Sequence, residues 1–160
     1  MEYTLDGENA ASDLPGVFSD LVRCETRLYN ALNDRLREQH GIVTSQYEFL
    51  SYLRDHPGCR VADLAAEFAI GVGATSKGVD RLEKLGWAAR QPNPADRRSS
   101  LLALTADGTR VVDAAQRTFT GTLAELLGGT LDGPSLTAVA AALTTLRSAL
   151  ERDQVGTPSG

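Results

Sequence analysis

RVADLAAEFAIGVGATSKGVDRLEKLGWAARQPNPADRRSSLLALT, residues 60–105, passes from helical spacing into two short strand-like segments. Val61, Leu64, Ala65 and Phe68 recur at three- and four-residue steps, which predicts a helix with one apolar stripe. Gly71, Val72 and Gly73 follow and predict a sharp turn, because glycine has no Cβ to clash. A second helix then runs to Leu85, with Thr75, Val79, Leu82 and Leu85 inward. Lys77, Arg81 and Lys84 share its outward face, and Gly86 stands where a helix commonly stops. Trp87–Gln91 and Ser100–Leu104 are expected to be strands. The loop between them holds Pro92, Pro94, Asp96, Arg97 and Arg98. Proline donates no ladder hydrogen bond, so the two prolines mark where pairing ends.

Two short helices across a tight turn, then a hairpin tipped with arginine, make a winged helix-turn-helix. The fold class is therefore mostly α with a small β wing. Such a unit offers one helix to the DNA major groove and a basic finger to the backbone or minor groove. Ser76 and Lys77 fall in the first two turns of the second helix, within reach of bases or phosphates. Lysine acts there as a point charge on phosphate. Arg81 and Lys84 lie further along and equally suit a solvated face.

The segments on either side are helical. Leu14 to about His40 reads as one long helix on Leu14, Phe18, Leu21, Leu28, Leu32 and Leu36, ended by Gly41. Thr44 or Ser45 caps the next, with Ser45-x-x-Glu48 as a capping box and Tyr47, Leu50 and Leu53 inward. Cys59 and Arg60 suit a stub strand against the wing. Thr105 caps a helix from Ala106 to about Leu127, broken by Gly128 and Gly129. Pro134 preorganises the first turn of a last helix, which runs to about Arg152 on Leu136, Val139, Leu143, Leu146 and Leu150. Residues 1–13 and 153–160 read as flexible tails. A single domain is expected, with a winged region at 44–105 between terminal helices at 14–43 and 106–152. Those helices carry more apolar face than a small winged unit can cover, which marks an interaction surface. A symmetry mate would cover it, so a homodimer is expected, with the terminal helices as its dimerisation elements.

DRLEKLGWAAR at 80–90 is followed by Asp96, Arg98, Leu104, Thr105 and Gly108 in the order Asp-x-Arg, several residues, Leu-Thr-x-x-Gly. TSQYEFL at 44–50 fits the opening of a second helix, with Gln46 one residue early. With these residues the chain, from about Val17 to Leu150, resembles the MarR (multiple antibiotic resistance regulator) family. The resemblance implies a homodimer with interlaced terminal helices. It also implies sequence-specific, repressing contact with double-stranded DNA at an inverted repeat. Arg98 matches the family's wing arginine, which enters the minor groove. Asp96 would hold the turn or brace an arginine, and Arg97, nearer the tip, would take a phosphate.

A small-molecule effector is expected in the crevice between the first, second and fifth helices, with Arg27, Tyr29, Tyr47 and Arg54 as pocket candidates. Gly73, Ala74 and Gly78 depart from the Ser or Thr and the Leu-like residue common in the family. Each interior glycine costs a helix about 0.5–1 kcal/mol, so the reading helix is expected to be loosely held until DNA orders it. Some family members sense peroxide through a cysteine on the first helix. Cys24 lies about two residues out of register with that pattern, and a buried, inert thiol is expected, with thiol sensing as the alternative.

Composition bounds the remaining classes. A chain of 160 residues is one domain's worth. The net charge is −5, yet Ala69–Ser100 holds six basic against three acidic residues, +3, leaving −8 elsewhere. That asymmetry favours one docking face over general polyanion binding. Arginine outnumbers lysine 14 to 2, so an arginine at any one site also reflects composition. No apolar run approaches the roughly 20 residues of a membrane span, and the N-terminus lacks the order of a secretion signal. Two distant cysteines make no disulfide scaffold, and a cytoplasmic protein is expected. There is no phosphate loop, HExxH or nucleophile elbow. Cys59 and His56 lack further ligands for zinc, so neither enzyme activity, metal nor cofactor is expected. A protein-interaction module with a degenerate winged helix is the alternative from another class.

Overall fold

A computed structural model of the chain describes residues 13–159; the expected flexibility of residues 1–12 and 160 lies outside them. Helix α1 spans Leu14–His40. Its first turn is capped by the Asp13 carboxylate, which accepts the Gly16 N–H at 3.1 Å. It ends at Gly41, whose φ of 66° is left-handed and therefore suits glycine.

Helix α2, Thr44–Asp55, starts differently from expectation. Val43 is the capping position, the Gln46 side chain accepts the Val43 N–H at 3.0 Å, and Asn33 of α1 accepts the Thr44 N–H at 2.8 Å. An amide from another helix thus replaces the Ser45–Glu48 box.

Helix α3, Val61–Glu67, is tied at its start by Asp63, which accepts the Arg60 backbone N–H and its guanidinium. The sharp turn after it falls earlier than expected. Ala69 takes the left-handed conformation, φ 50°, and Ile70 N–H closes onto the Ala65 carbonyl at 3.0 Å. Gly71 has an ordinary φ of −60° and Gly73 lies inside the next helix. Helix α4, Val72–Lys84, ends in a Schellman arrangement: Gly86 N–H bonds Glu83 O and Trp87 N–H bonds Leu82 O. Leu85, expected inward, is 49% exposed. At about 100° per residue it falls roughly a quarter turn away from the buried stripe of Thr75, Val79 and Leu82.

Strands β1 (Ala88–Pro92) and β2 (Ser100–Leu104) pair antiparallel, Arg90 opposite Leu102. Cys59 adds a single bridge to Leu102. Helix α5 runs Ala106–Leu123 and continues as a π-helical turn, Ala124–Gly128. Helix α6 is Gly133–Arg152.

The junction of wing and α5 explains two residues of the Leu-Thr-x-x-Gly pattern. Thr105 Oγ1 accepts the Gly108 N–H at 3.0 Å and donates to Gly86 O at 2.6 Å. Its backbone N–H bonds Trp87 O at 3.1 Å. Gly108 lies so close that a Cβ there would stand 1.9 Å from the Trp87 carbonyl oxygen.

The core joins the C-terminal part of α1 to the winged unit and α5, through Leu36, Ile42, Leu50, Leu53, Leu64, Val79, Leu82, Leu102 and Val112. The other end of α1 is uncovered: Leu14, Val17, Phe18, Leu21 and Val22 are exposed. No residue of α6 is buried, and Val139, Leu143, Leu146 and Leu150 stand open. Among the described residues no single helix is long and apolar enough to cross a membrane.

Candidate nucleic-acid interface

Three faces of α4 differ in chemistry. Thr75, Val79 and Leu82 are buried, and they hold the helix to α2 and α3. Gly78 belongs to this anchoring rather than to looseness alone: a Cβ there would lie 2.8 Å from the Phe49 ring, so the absent side chain lets the ring approach the helix. Gly73 has open space around it and lacks that reason.

About a quarter turn from the buried stripe, Ser76, Asp80 and Glu83 line up at helical spacing and are gripped by Arg90 of β1. One guanidinium nitrogen reaches Asp80 Oδ1 at 2.7 Å and also Glu83 Oε1. The other donates to Ser76 Oγ at 3.1 Å and Ser76 O at 3.3 Å. A further quarter turn on, Lys77, Arg81 and Lys84 are exposed. Among the described residues none of these three makes an ion pair.

The wing loop is braced by its own backbone. Asp96 accepts the Arg98 N–H at 2.9 Å and Asn93 accepts the Ala95 N–H at 3.0 Å, two side chains folding the loop onto itself. Asn93 also donates to Ser99 Oγ at 2.9 Å. Asp96 therefore holds the turn rather than an arginine side chain within the loop. Arg97 and Arg98 are exposed and, among the described residues, unpaired. Arg60 at the start of α3 is held by Asp63, whose carboxyl is pushed below its ordinary range by the hydrogen bonds from Arg60.

Arg27, Tyr29, Tyr47 and Arg54 do not converge on one pocket. Tyr47 is buried and stacks on Phe119 with ring centres 4.2 Å apart. Arg54 is tied to Asp113 and Gln116 of α5 at 2.8 and 2.9 Å. Arg27 borders a shallow depression along α1 with Val22, Arg23, Thr26 and Asn30. Tyr29 packs against α2 beside Ser45 and Glu48. Burial raises the Glu48 carboxyl above its ordinary range; the Tyr29 hydrogen bond opposes that rise and Glu25 adds to it. A larger cleft, about 780 Å³, lies elsewhere, between the α3–α4 turn (Ala65, Phe68, Ile70, Val72) and α6 (Leu146, Leu150). Cys24 is exposed, where a buried thiol was expected: it sits on the part of α1 that no other element covers. Cys59 is the half-buried thiol, and burial raises its pKa.

The residue missed in the sequence is Arg90. Its signal was the acidic stripe of Asp80 and Glu83 on α4, which a cation on the following strand can pair.

A buried-anchored helix with a free basic face, followed by a two-stranded hairpin with unpaired arginines, defines the winged helix-turn-helix class. The winged region is similar to the MarR family: the sequence model of that family matches residues 40–99. The chain is 29% identical over 110 residues to the multiple antibiotic resistance protein MarR of Salmonella typhimurium, spanning 65% of this chain and 74% of that one. It is 24% identical over 86 residues to the HTH-type transcriptional regulator BilQ of Clostridioides difficile, 54% of this chain and 58% of the relative. The fold likeness extends further. Sco3205 of Streptomyces coelicolor, a MarR family transcriptional regulator solved in complex with DNA, aligns with a TM-score of 0.82 at 22% identity, over 92% of this chain and 93% of that one. A mutant MarR of E. coli complexed with operator DNA aligns at 0.75 and 22%, over 86% and 96%.

Proposed function

We propose that the protein is a transcriptional regulator, a repressor, that binds an inverted repeat in double-stranded DNA as a homodimer and answers to a small molecule. One observation carries the DNA contact: Lys77, Arg81, Lys84, Arg97 and Arg98 stand exposed and, among the described residues, without ion pairs in a chain of net charge −5. An acidic protein that leaves five cations free on one helix and the adjoining hairpin presents a local polyanion-binding surface. Helix α4 enters the major groove, Lys77, Arg81 and Lys84 meet phosphates or base edges, Arg97 takes a phosphate and Arg98 enters the minor groove.

The uncovered apolar residues of α1 and α6 support the homodimer. Two reading heads then meet half-sites about 34 Å apart. An effector shifts DNA affinity only by its preference for one separation of the heads. The cleft between the α3–α4 turn and α6 supports such coupling, because its two walls belong to the reading unit and to a terminal helix.

Fluorescence anisotropy against a duplex selected by the protein from a random pool tests the DNA contact. Affinity is expected to fall steeply with added salt. Arg98→Ala is expected to weaken binding about tenfold and to lower the salt slope by about one. Enrichment of no sequence, with binding indifferent to salt, overturns the proposal.

A further inference from the structure

We infer that Arg90 is a positioning residue for base reading: it commits the Ser76 hydroxyl to act as a hydrogen-bond donor toward an acceptor on DNA. The inference rests on α4 being the DNA-reading helix.

A serine hydroxyl has one proton to give and two lone pairs to receive. The Arg90 guanidinium donates to Ser76 Oγ at 3.1 Å and to Ser76 O at 3.3 Å, so one lone pair is filled and the hydroxyl proton, which cannot point at the arginine, is left free to give. Among the described residues Ser76 Oγ donates to no other group. The group on DNA that takes this proton is an acceptor: a purine N7, guanine O6, thymine O4 or a phosphate oxygen.

The grip that imposes this orientation is firm. Arg90 is fixed on β1 opposite Leu102 and its side chain is only 24% exposed. Its other nitrogen is held by Asp80 at 2.7 Å and by Glu83. The planar fork serves three side chains of α4 at once, which a lysine ammonium cannot do with the same geometry. The grip has a second consequence. Asp80 and Glu83 lie about a quarter turn from Lys77, Arg81 and Lys84, on a helix that approaches a polyanion. Without Arg90 both carboxylates would face DNA uncompensated.

A double-mutant cycle on the duplex selected by the parent protein tests the inference. Ser76→Ala alone is expected to weaken binding about tenfold, and Arg90→Met at least as much. In the Arg90→Met background, Ser76→Ala is expected to change affinity less than about twofold, because the hydroxyl is no longer aimed. Arg90→Lys, which keeps a positive charge on β1, should also blunt the Ser76→Ala effect, and it serves if Arg90→Met does not fold. A purely structural Arg90 would lower stability and leave the two losses additive. Additive losses in both backgrounds overturn the inference while leaving the DNA-reading helix intact. A parent that selects no duplex overturns both together. Reselection with Ser76→Ala separates the acceptors: relaxed preference at one base position identifies a base edge, and a uniform loss identifies a phosphate and overturns base reading.

Discussion

Gly108→Ala adds one methyl group where wing meets α5, and the structure sets its cost. The new Cβ would stand 1.9 Å from the Trp87 carbonyl oxygen, 2.8 Å from its carbonyl carbon and 3.1 Å from its Cα. All three atoms are backbone, so no side chain can rotate aside; the start of α5 must retreat by more than an ångström. That retreat strains the Thr105 N–H bond to Trp87 O and the Thr105 hydroxyl bond to Gly86 O, each worth about 1 kcal/mol. Overpacking adds about 1–3 kcal/mol, and the better helix propensity of alanine returns about 1 kcal/mol. The net expectation is a loss of about 2–4 kcal/mol, or a fall of roughly 5–15 °C in Tm for a chain of this size.

Circular dichroism melts at equal protomer concentration measure it, since association shifts apparent stability. Gly121→Ala is the control. It lies in the same helix with nothing within 4 Å of its Cβ position and should gain up to about 1 kcal/mol. Parent-like melting of Gly108→Ala would refute the argument that this glycine is required by close approach.

Phe18→Glu places a charge on a residue 66% exposed in the single chain. At micromolar concentration the parent should sediment as a dimer and the variant as a folded monomer; an unchanged sedimentation coefficient rejects α1 as the dimer seam. Glu48→Gln tests the half-buried carboxyl. Its pKa is raised by burial, so the folded state favours the protonated form and the parent loses stability as pH rises through that pKa. The variant should therefore be more stable than the parent at neutral pH, with the difference vanishing below about pH 4. Denaturant melts across that range would contradict the reasoning if the parent were the more stable at pH 7.

The sequence by itself determined what short-range chemistry dictates. Helix α1 runs Leu14–His40 as its spacing requires and stops at a left-handed Gly41. Gly86 ends α4, Thr105 caps α5, and the hairpin closes over the proline-rich loop. Each of these depends on backbone sterics or a partner within a few residues, so the local string carries the answer. The exposed basic face of α4 and the arginines of the wing were legible for the same reason.

Tertiary structure decided wherever distant groups compete for one position. Asn33 of α1 took the capping role that Ser45 and Glu48 were expected to fill. Packing put the left-handed turn on Ala69, although a glycine stood two residues away. Phe49 gave Gly78 a purpose that helix propensity alone misreads. The pocket candidates on α1 and α2 were drawn into separate contacts, and the larger cleft opened beside α6. Arg90, one of 14 arginines in the string, became the clamp on α4 only because strand register set it beside Ser76, Asp80 and Glu83. Periodicity tells which side of an element faces inward; which partner waits there is fixed by the packing of segments far apart in the chain.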